Sequence, residues 1–405
     1  MKKFKNKISD IITVVLFVAL IGGFALSFVI LPDAESSAVE GRQLQQLPNP
    51  AIGKHDNQSG ADYVGSDYVI HGMLADDFDE YFCDQFPLRK TFLSLSSYIQ
   101  LAFGRGVNNG VLYKDGDLAV TRFDAVGFDT ATEYFDKEHV KAGIGNLNSV
   151  CAGLDIPVSV ILPPRSIDVK AESLGYPTEL SDSLDALIKE NISGDYYIDL
   201  LGTMRELYKT GQQPYFKTDH HWTVLGAYHA YAALMESWGI TPYELKDFTF
   251  ETVTEDFCGT SLRNGNFFFM DGEELQVARY GGDDSLVVQS LNMAFKPMEG
   301  YAGLYDFGAL KGEDAYSVFL YGKPTHMSIT KPDEERETLL VMKDSFAHSL
   351  APFLARHYDI VIVDMDTSRF GTSLSTVISM VNPDRVLVVY NRENIIETDK
   401  LKNIK

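Results

Sequence analysis

This 405-residue chain is short of basic charge: 35 lysines and arginines stand against 57 acidic residues, a net of -22. An acidic surface repels phosphate backbones, which argues against nucleic-acid binding, while it says little about a neutral sugar. Cysteine is also scarce. Cys83, Cys151 and Cys258 make no C-x-x-C or metal-type pair, and an odd number of widely spaced thiols is not a disulfide framework. Cys151 closes an apolar helical pattern and reads as core rather than nucleophile. The G-x-S-x-G elbow and the H-E-x-x-H zinc motif are both missing. There is no internal repeat and no low-complexity tract.

Apolar residues are plentiful. At 45% hydrophobic and 12% aromatic, the chain can bury a large core, as one α/β domain with insertions or as two or three domains. Lys2, Lys3, Lys5 and Lys7 precede an uncharged apolar run, 11–31. At the helical rise this run is roughly 30 Å long, about the hydrocarbon thickness of a bilayer. Residues 1–10 then form a cytoplasmic tail, 11–31 a transmembrane signal anchor, and everything after Leu31 lies outside. A cleaved signal peptide ending at Ser36-Ser37-Ala38 is the competing reading, although the run exceeds a signal core of ~7–15 residues. Both export the remainder to the extracytoplasmic side.

Residues 32–75 are polar and glycine-containing and read as a stalk; 76–405 read as the main domain. Phe78, Tyr81 and Phe82 predict a helix over 76–86, with a second running from Pro87 to about Phe103. Strands are expected at 158–162, 196–200, 338–342, 359–363 and 385–390, with helices at 346–356 and 374–380 between the last three. Short apolar strands alternating with helices imply a parallel sheet covered on both faces. Residues 240 to about 335, with strand-like patches such as 316–321, read as a β-rich insertion packed beside it.

Two motifs carry candidate chemistry. In Thr218-Asp219-His220-His221-Trp222, an extended backbone would point Asp219 and His221 the same way, so the carboxylate can accept the imidazole Nδ1 proton. Thr223 is a good N-cap for a following helix. His220 would point away, towards a structural role or a substrate cleft, and Trp222 would be structural or supporting. Asp219, His220 and His221 are a poor zinc set, since adjacent histidines seldom share an ion, and no metal or cofactor is expected. In Lys343-Asp344-Ser345-Phe346, Ser345 falls at the carboxyl end of a strand and the start of a helix, where open α/β sheets bind ligands. Asp344 or Ser345 serving only as a helix cap is the plainer alternative. Serine needs a base and histidine an orienter, and the two motifs together supply all three.

These residues resemble the DHHW protein family, named for the run seen here as Asp219-His220-His221-Trp222. The likeness includes Glu40-Gly41-Arg42-Gln43-Leu44, Asp84-Gln85-Phe86-Pro87-Leu88-Arg89, Phe216-Lys217-Thr218 and Lys343-Asp344-Ser345-Phe346. That family is similar to the alginate O-acetyltransferases, whose domain is SGNH-hydrolase-like, a flavodoxin-like α/β fold. Ordinary SGNH hydrolases place the serine first; here Asp219 and His221 precede it. The resemblance implies Ser345 as nucleophile, His221 as base and Asp219 as orienter, with His220, Trp222, Lys343 and Asp344 supporting or binding substrate. Lys343 departs from the glycine of Gly-Asp-Ser, and only Asn264 and Asn391 offer themselves for the oxyanion.

The implied function is a membrane-anchored, extracytoplasmic O-acyltransferase, O-acetyl above all, acting on an exported polysaccharide. Its donor partner would be a membrane-bound O-acyltransferase. A carbohydrate esterase with the same triad, and a non-catalytic glycan-binding or assembly factor, are the alternatives.

Overall fold

The computed structural model describes residues 2–37, 40–56, 61–121, 135–312, 314–322, 325–364, 374–399 and 401. Ala38, of the candidate cleavage site, lies outside them. The chain divides into two compact units, Met1–Ile99 and Gln100–Lys405.

In the first unit, α1 (Lys2–Ile30) contains a stretch, Ser9–Ile30, of mean hydropathy 2.6 that is long and apolar enough to cross a membrane. Residues 32–75 are more than a plain tether. Ser36–Ser37 pairs with Arg42–Gln43, and Lys54–Asp56 with Ala61–Tyr63, before a helical turn at Ser66–Ile70. Helices α2 (Met73–Asp84) and α3 (Arg89–Ala102) flank Pro87. The two early motifs are locked to each other. Arg42 grips the Asp84 carboxylate bidentately, with Nη1–Oδ2 at 2.7 Å, and Arg89 donates to both Glu40 oxygens at 3.1 Å. The Gln85 amide donates to the Ala34 and Gln45 carbonyls. Planar guanidinium–carboxylate pairing explains why arginines stand at both positions.

The second unit is α/β, as its alternating pattern predicts. A small antiparallel sheet, β1 (Val107–Asn108), β2 (Val111–Lys114) and β3 (Asp117–Val120), comes first. The main sheet contains β4 (Val158–Ile161) and β5 (Tyr197–Ile198). After the separate hairpin β6 (Thr249–Phe257) and β7 (Glu273–Arg279), it continues with β8 (Val287–Leu291), β9 (Pro297–Tyr301) and β10 (His326–Thr330). It is completed by β11 (Thr338–Lys343), β12 (Asp359–Asp364) and β13 (Arg385–Val389). The spatial order is β9-β8-β10-β12-β11-β13-β4-β5, with the last five mutually parallel. Counted from β11 in cyclic chain order, those five strands run 2-1-3-4-5, the flavodoxin-like arrangement entered at a different strand.

Residues alternate between two cores. Leu339, Val341, Leu387, Val389 and Ile161 face one, with α7 (Leu201–Lys209), α8 (Val224–Ser237) and α10 (Ala347–Leu354). Leu340, Met342, Val386, Val388 and Val160 face the other, with α4 (Lys137–Ala152), α6 (Glu179–Asn191), α11 (Leu374–Val381) and α12 (Arg392–Glu397). Cys151 lies in that second core, where burial pushes its thiol up to about 12. The remaining helices are α5 (Ser166–Leu174) and α9 (Thr260–Gly265).

The segment 240–335 is not simply laid beside the sheet. Among the described residues only β6–β7 stands apart; β8, β9 and β10 extend the main sheet antiparallel from β12. A strand edge with open N–H and C=O groups is covered in this way. The patch expected as a strand at 316–321 is instead a 3-10 turn, Ala315–Val318, because Leu320 and Tyr321 take left-handed backbone (φ 49° and 59°).

Candidate functional site

The site forms where β11 ends. Asp344 N donates to the Val389 carbonyl at 3.0 Å, which carries the ladder one step past the strand, and the chain then turns through Ser345 into α10. The Asp344 carboxylate holds the turn on two sides. Oδ1 accepts from Phe346 N at 3.0 Å, and Oδ2 from Asn391 N at 2.6 Å and Asn394 Nδ2 at 2.8 Å. Burial pushes this carboxyl above its usual range, and the N–H groups of Asn391 and Phe346 only partly offset that. Asp344 thereby ties the serine turn to the start of α12.

Opposite lies the loop 215–222, closed by an antiparallel bridge between Tyr215 and Trp222. Phe216 N donates to the His221 carbonyl at 3.2 Å and Thr223 N to the Pro214 carbonyl at 2.9 Å. Thr223 caps α8 through Gly226 N, and a side chain at Gly226 would come within 2.2 Å of the Pro214 oxygen. The start of the loop is pinned by Lys170, a buried ammonium donating to the Phe216 and Leu118 carbonyls and to Asp117. Glu273 accepts from Lys217 N, Thr218 N and Thr218 Oγ1 at 2.9, 2.6 and 2.6 Å.

Between these anchors the backbone is bent rather than extended. Asp219 and His221 meet for a different reason than strand alternation. Asp219 Oδ1 accepts the His221 backbone N–H at 2.9 Å, an Asx turn, and the same oxygen lies 2.6 Å from His221 Nδ1. His221 Nε2 is 2.7 Å from Ser345 Oγ. Asp219, His221 and Ser345 therefore form one hydrogen-bonded line.

Asp219 is 1% exposed. Its second oxygen accepts from Thr260 N at 2.7 Å and Thr260 Oγ1 at 2.9 Å. Burial pushes the carboxyl up, but the charges of His221 and His220, with hydrogen bonds from His221 and Thr260 N, outweigh it and hold Asp219 well below the usual range. Gly259 makes this closeness possible: a Cβ there would lie 2.2 Å from Asp219 Cβ. Tyr316 is stacked on His221, ring centroids 4.0 Å apart and 7° from parallel, which fixes the imidazole plane. Gly259, Thr260, Tyr316, Lys170 and Glu273 escape sequence reasoning. They lie about 40 to 100 residues from the Asp-x-His run, at separations that follow no helix or strand period.

The supporting residues separate into distinct roles. Trp222 is fully buried, its indole N–H donating to the Phe346 carbonyl at 3.0 Å and to Ser349 Oγ at 2.9 Å, so it clamps the turn that carries Ser345. His220 packs on His221, with Nδ1 2.5 Å from Thr260 Oγ1. Lys343 is 1% exposed, and its ammonium meets Asp364 on β12 at 3.0 Å. Replacing Trp222 by phenylalanine should keep the packing but strand two acceptors. The expected loss is about 1–3 kcal/mol of stability, with slower turnover. Urea melts and ester turnover measured together check this; unchanged values of both would refute the clamp.

The atoms of Asp219, His220 and His221 that could ligate a metal lie within 4.8 Å of one another. Both Asp219 oxygens and both His221 nitrogens already serve protein hydrogen bonds, so a cation would have to break the line. Of the two asparagines considered for an oxyanion, Asn264 is exposed on α9, and its backbone carbonyl accepts from Asn109. Asn391 is 2% exposed, is held against Asp344, caps α12 through Oδ1, and has a buried Nδ2 with no partner among the described residues. In the serine turn, the N–H groups of Phe346, Ala347 and His348 are used internally. Beside the loop lies a cleft of about 750 Å³ that includes Lys217, Thr218, Tyr113, Phe269, Glu255 and Asp271.

A family model described as DHHW protein matches residues 184–364, the stretch containing both motifs. No curated protein matches the sequence. A DHHW family protein from Eubacterium siraeum shares its fold at 20% identity and TM-score 0.58, over 73% of this chain and 96% of that one. Bacillus cereus PatB1, solved with a sulfonyl adduct, does so at 20% identity and TM-score 0.56, over 73% and 100%. The O-acetyltransferase domain of Pseudomonas putida AlgJ is a looser likeness, at 15% identity and TM-score 0.43, over 73% and 99%.

Proposed function

We propose that this protein is a DHHW-type, membrane-anchored, extracytoplasmic O-acyltransferase that moves an acyl group, acetyl above all, onto a hydroxyl of a glycan through Ser345, His221 and Asp219. The observation that carries the proposal is the unbroken line from the Asp219 carboxylate through His221 to Ser345 Oγ, with separations of 2.6 and 2.7 Å.

Each residue has one task. Asp219 holds the proton on His221 Nδ1, which leaves Nε2 free to accept. Ser345 Oγ attacks the carbonyl carbon of the donor ester as its proton passes to Nε2. The Ser345 N–H and the side-chain Nδ2 of Asn391, which has no partner among the described residues, are the candidate donors to the tetrahedral oxyanion. The donor alcohol leaves with the proton from Nε2, and an acyl-serine remains. A sugar hydroxyl then gives its proton to Nε2 and attacks the acyl carbon; the new ester departs and Ser345 recovers its proton. A membrane-bound O-acyltransferase partner delivers the donor. The cleft at Tyr113 and Phe269 adjoins the line at Thr218 without including its residues, so it would hold sugar units of the acceptor beyond the reacting one: aromatic faces stack on sugar rings, and Glu255 and Asp271 accept from hydroxyls. Its acidity disfavours polyanionic glycans.

The adduct in the PatB1 structure recommends a sulfonyl fluoride as the probe. Labelling of Ser345 is expected, and labelling of another residue instead would sink the triad. With a chromogenic acetyl ester, an oligosaccharide acceptor should accelerate release and become acylated. Release indifferent to every acceptor would make the protein an esterase; no label and no turnover would leave a glycan-binding or assembly factor. Phe269→Ala should raise the acceptor concentration for half-maximal transfer about tenfold, the equivalent of ~1.4 kcal/mol, and leave donor hydrolysis unchanged. An unaltered acceptor dependence would exclude the cleft.

A further inference from the structure

The first unit presents a second apolar surface, beside the anchor helix rather than on it. Phe24 of α1 stacks on Phe86 at 5.5 Å and packs on Phe92 at 5.6 Å; Phe28 stacks on Phe82 at 5.1 Å and meets the edge of Tyr81 at 5.6 Å. Phe24 precedes Ile30 by six residues, which places it about 9 Å inside the end of the apolar span. Rings in contact with Phe24 must share its depth.

The exposed side chains nearby have the same character. Phe92, Leu95 and Ile99 recur at helical spacing along α3, and Leu88 stands just before its start; the four are 43–65% exposed, and Phe82 and Phe86, at 51% and 43%, continue the surface. A groove of about 400 Å³ runs between them, lined by Phe82, Cys83, Phe86, Arg89, Phe92 and Leu93. The ion pairs Arg42–Asp84 and Arg89–Glu40 join the same helices to residues 40–45, so this hairpin has a charged side and an apolar side. An apolar patch of this kind, rimmed by charge, marks a contact surface.

We infer that the α2–α3 hairpin is sunk into the outer leaflet, with lipid acyl chains covering Phe82, Phe86, Leu88, Phe92, Leu95 and Ile99 and filling the groove. This rests on the membrane-anchored reading of α1. Lipid is the occupant because the patch is continuous with the anchor: residues stacked on Phe24 and Phe28 are bathed by whatever surrounds those rings. The consequence is an anchor of three helices, which restricts the first unit to a fixed depth where a single span would let it swing.

The test uses the full chain in phosphatidylcholine–phosphatidylglycerol vesicles, comparing lipids with and without bromine on the acyl chains. Three variants, Phe86→Trp, Phe17→Trp in the anchor and Asp79→Trp on α2 outside the stripe, are read against the parent emission. The added emission of Phe86→Trp should be lost in brominated lipid, like that of Phe17→Trp, while Asp79→Trp is quenched only by aqueous iodide. Quenching of Phe86→Trp by iodide and not by bromine would overturn the inference, since the patch then faces water. Protection from both quenchers would also overturn it, in favour of a protein partner or a second copy. If Phe17→Trp escapes bromine as well, the anchor reading itself falls, which separates the two failures. A helical far-UV spectrum equal to the parent's shows that each variant is folded.

Discussion

Ser345→Ala is expected to lower turnover of an activated acetyl ester by on the order of 10⁶-fold while leaving the fold intact. The hydroxyl is the atom on which the acyl group would reside, so its removal ends covalent catalysis and leaves only what oxyanion donors and binding supply. The structural cost is small. Ser345 is only partly buried, and the hydrogen bond to His221 Nε2 can be replaced by water. The alanine protein should therefore melt within about 1 kcal/mol of the parent. It should also lose all sulfonyl labelling. Turnover that survives at a tenth of the parent rate would remove Ser345 as nucleophile, whatever its distance to His221.

Asp219→Asn should cost about 10⁴-fold in turnover, for a different reason. The carboxylate accepts four hydrogen bonds: two from His221 and two from Thr260. An amide has one accepting end. If that end faces Thr260, the amide N–H meets His221 Nδ1, drives the ring proton to Nε2 and blocks the base. If it faces His221, a donor is forced against the Thr260 N–H, at about 1–3 kcal/mol. The pH dependence of stability provides a second check. Because the folded Asp219 titrates well below its ordinary value of 3.8, unfolded chains bind its proton first as the pH drops. Its stabilisation is thus full above 3.8 and is lost as pH falls through the lower, folded value. The stability gap between parent and Asp219→Asn should be widest near neutrality and shrink in acid. A gap that stays constant below pH 4, in urea titrations at several pH values, would mean that the Asp219–His221 charge pair adds no stability.

The alternation of apolar strands with helices suffices to predict the sheet and its two cores, because buried parallel strands are written as continuous apolar runs. Leu339-Leu340-Val341-Met342 is a strand on composition alone, and a strand end followed by a helix marks Ser345. Strand order was not legible: that β11 lies between β12 and β13, and that β8 to β10 extend the sheet, depends on edges finding partners across long separations. Two readings failed for local reasons. Residues 316–321 have strand composition but contain left-handed Leu320 and Tyr321. The side-chain spacing of 218–222 suits an extended chain, whereas the Asp219 side chain bends it by capping the backbone two residues on.

The feature that sequence alone determined is the content of the line: a carboxylate, an imidazole and a hydroxyl, in a run and a turn distinctive enough to pair. Only the tertiary structure decided their environment. Gly259 and Thr260 close on Asp219, Tyr316 stacks on His221, Trp222 clamps the turn of Ser345, and Lys343 pairs with Asp364. The physical reason is reach. A motif specifies side chains whose backbones are neighbours, whereas orientation and burial come from residues that meet only when the sheet has assembled.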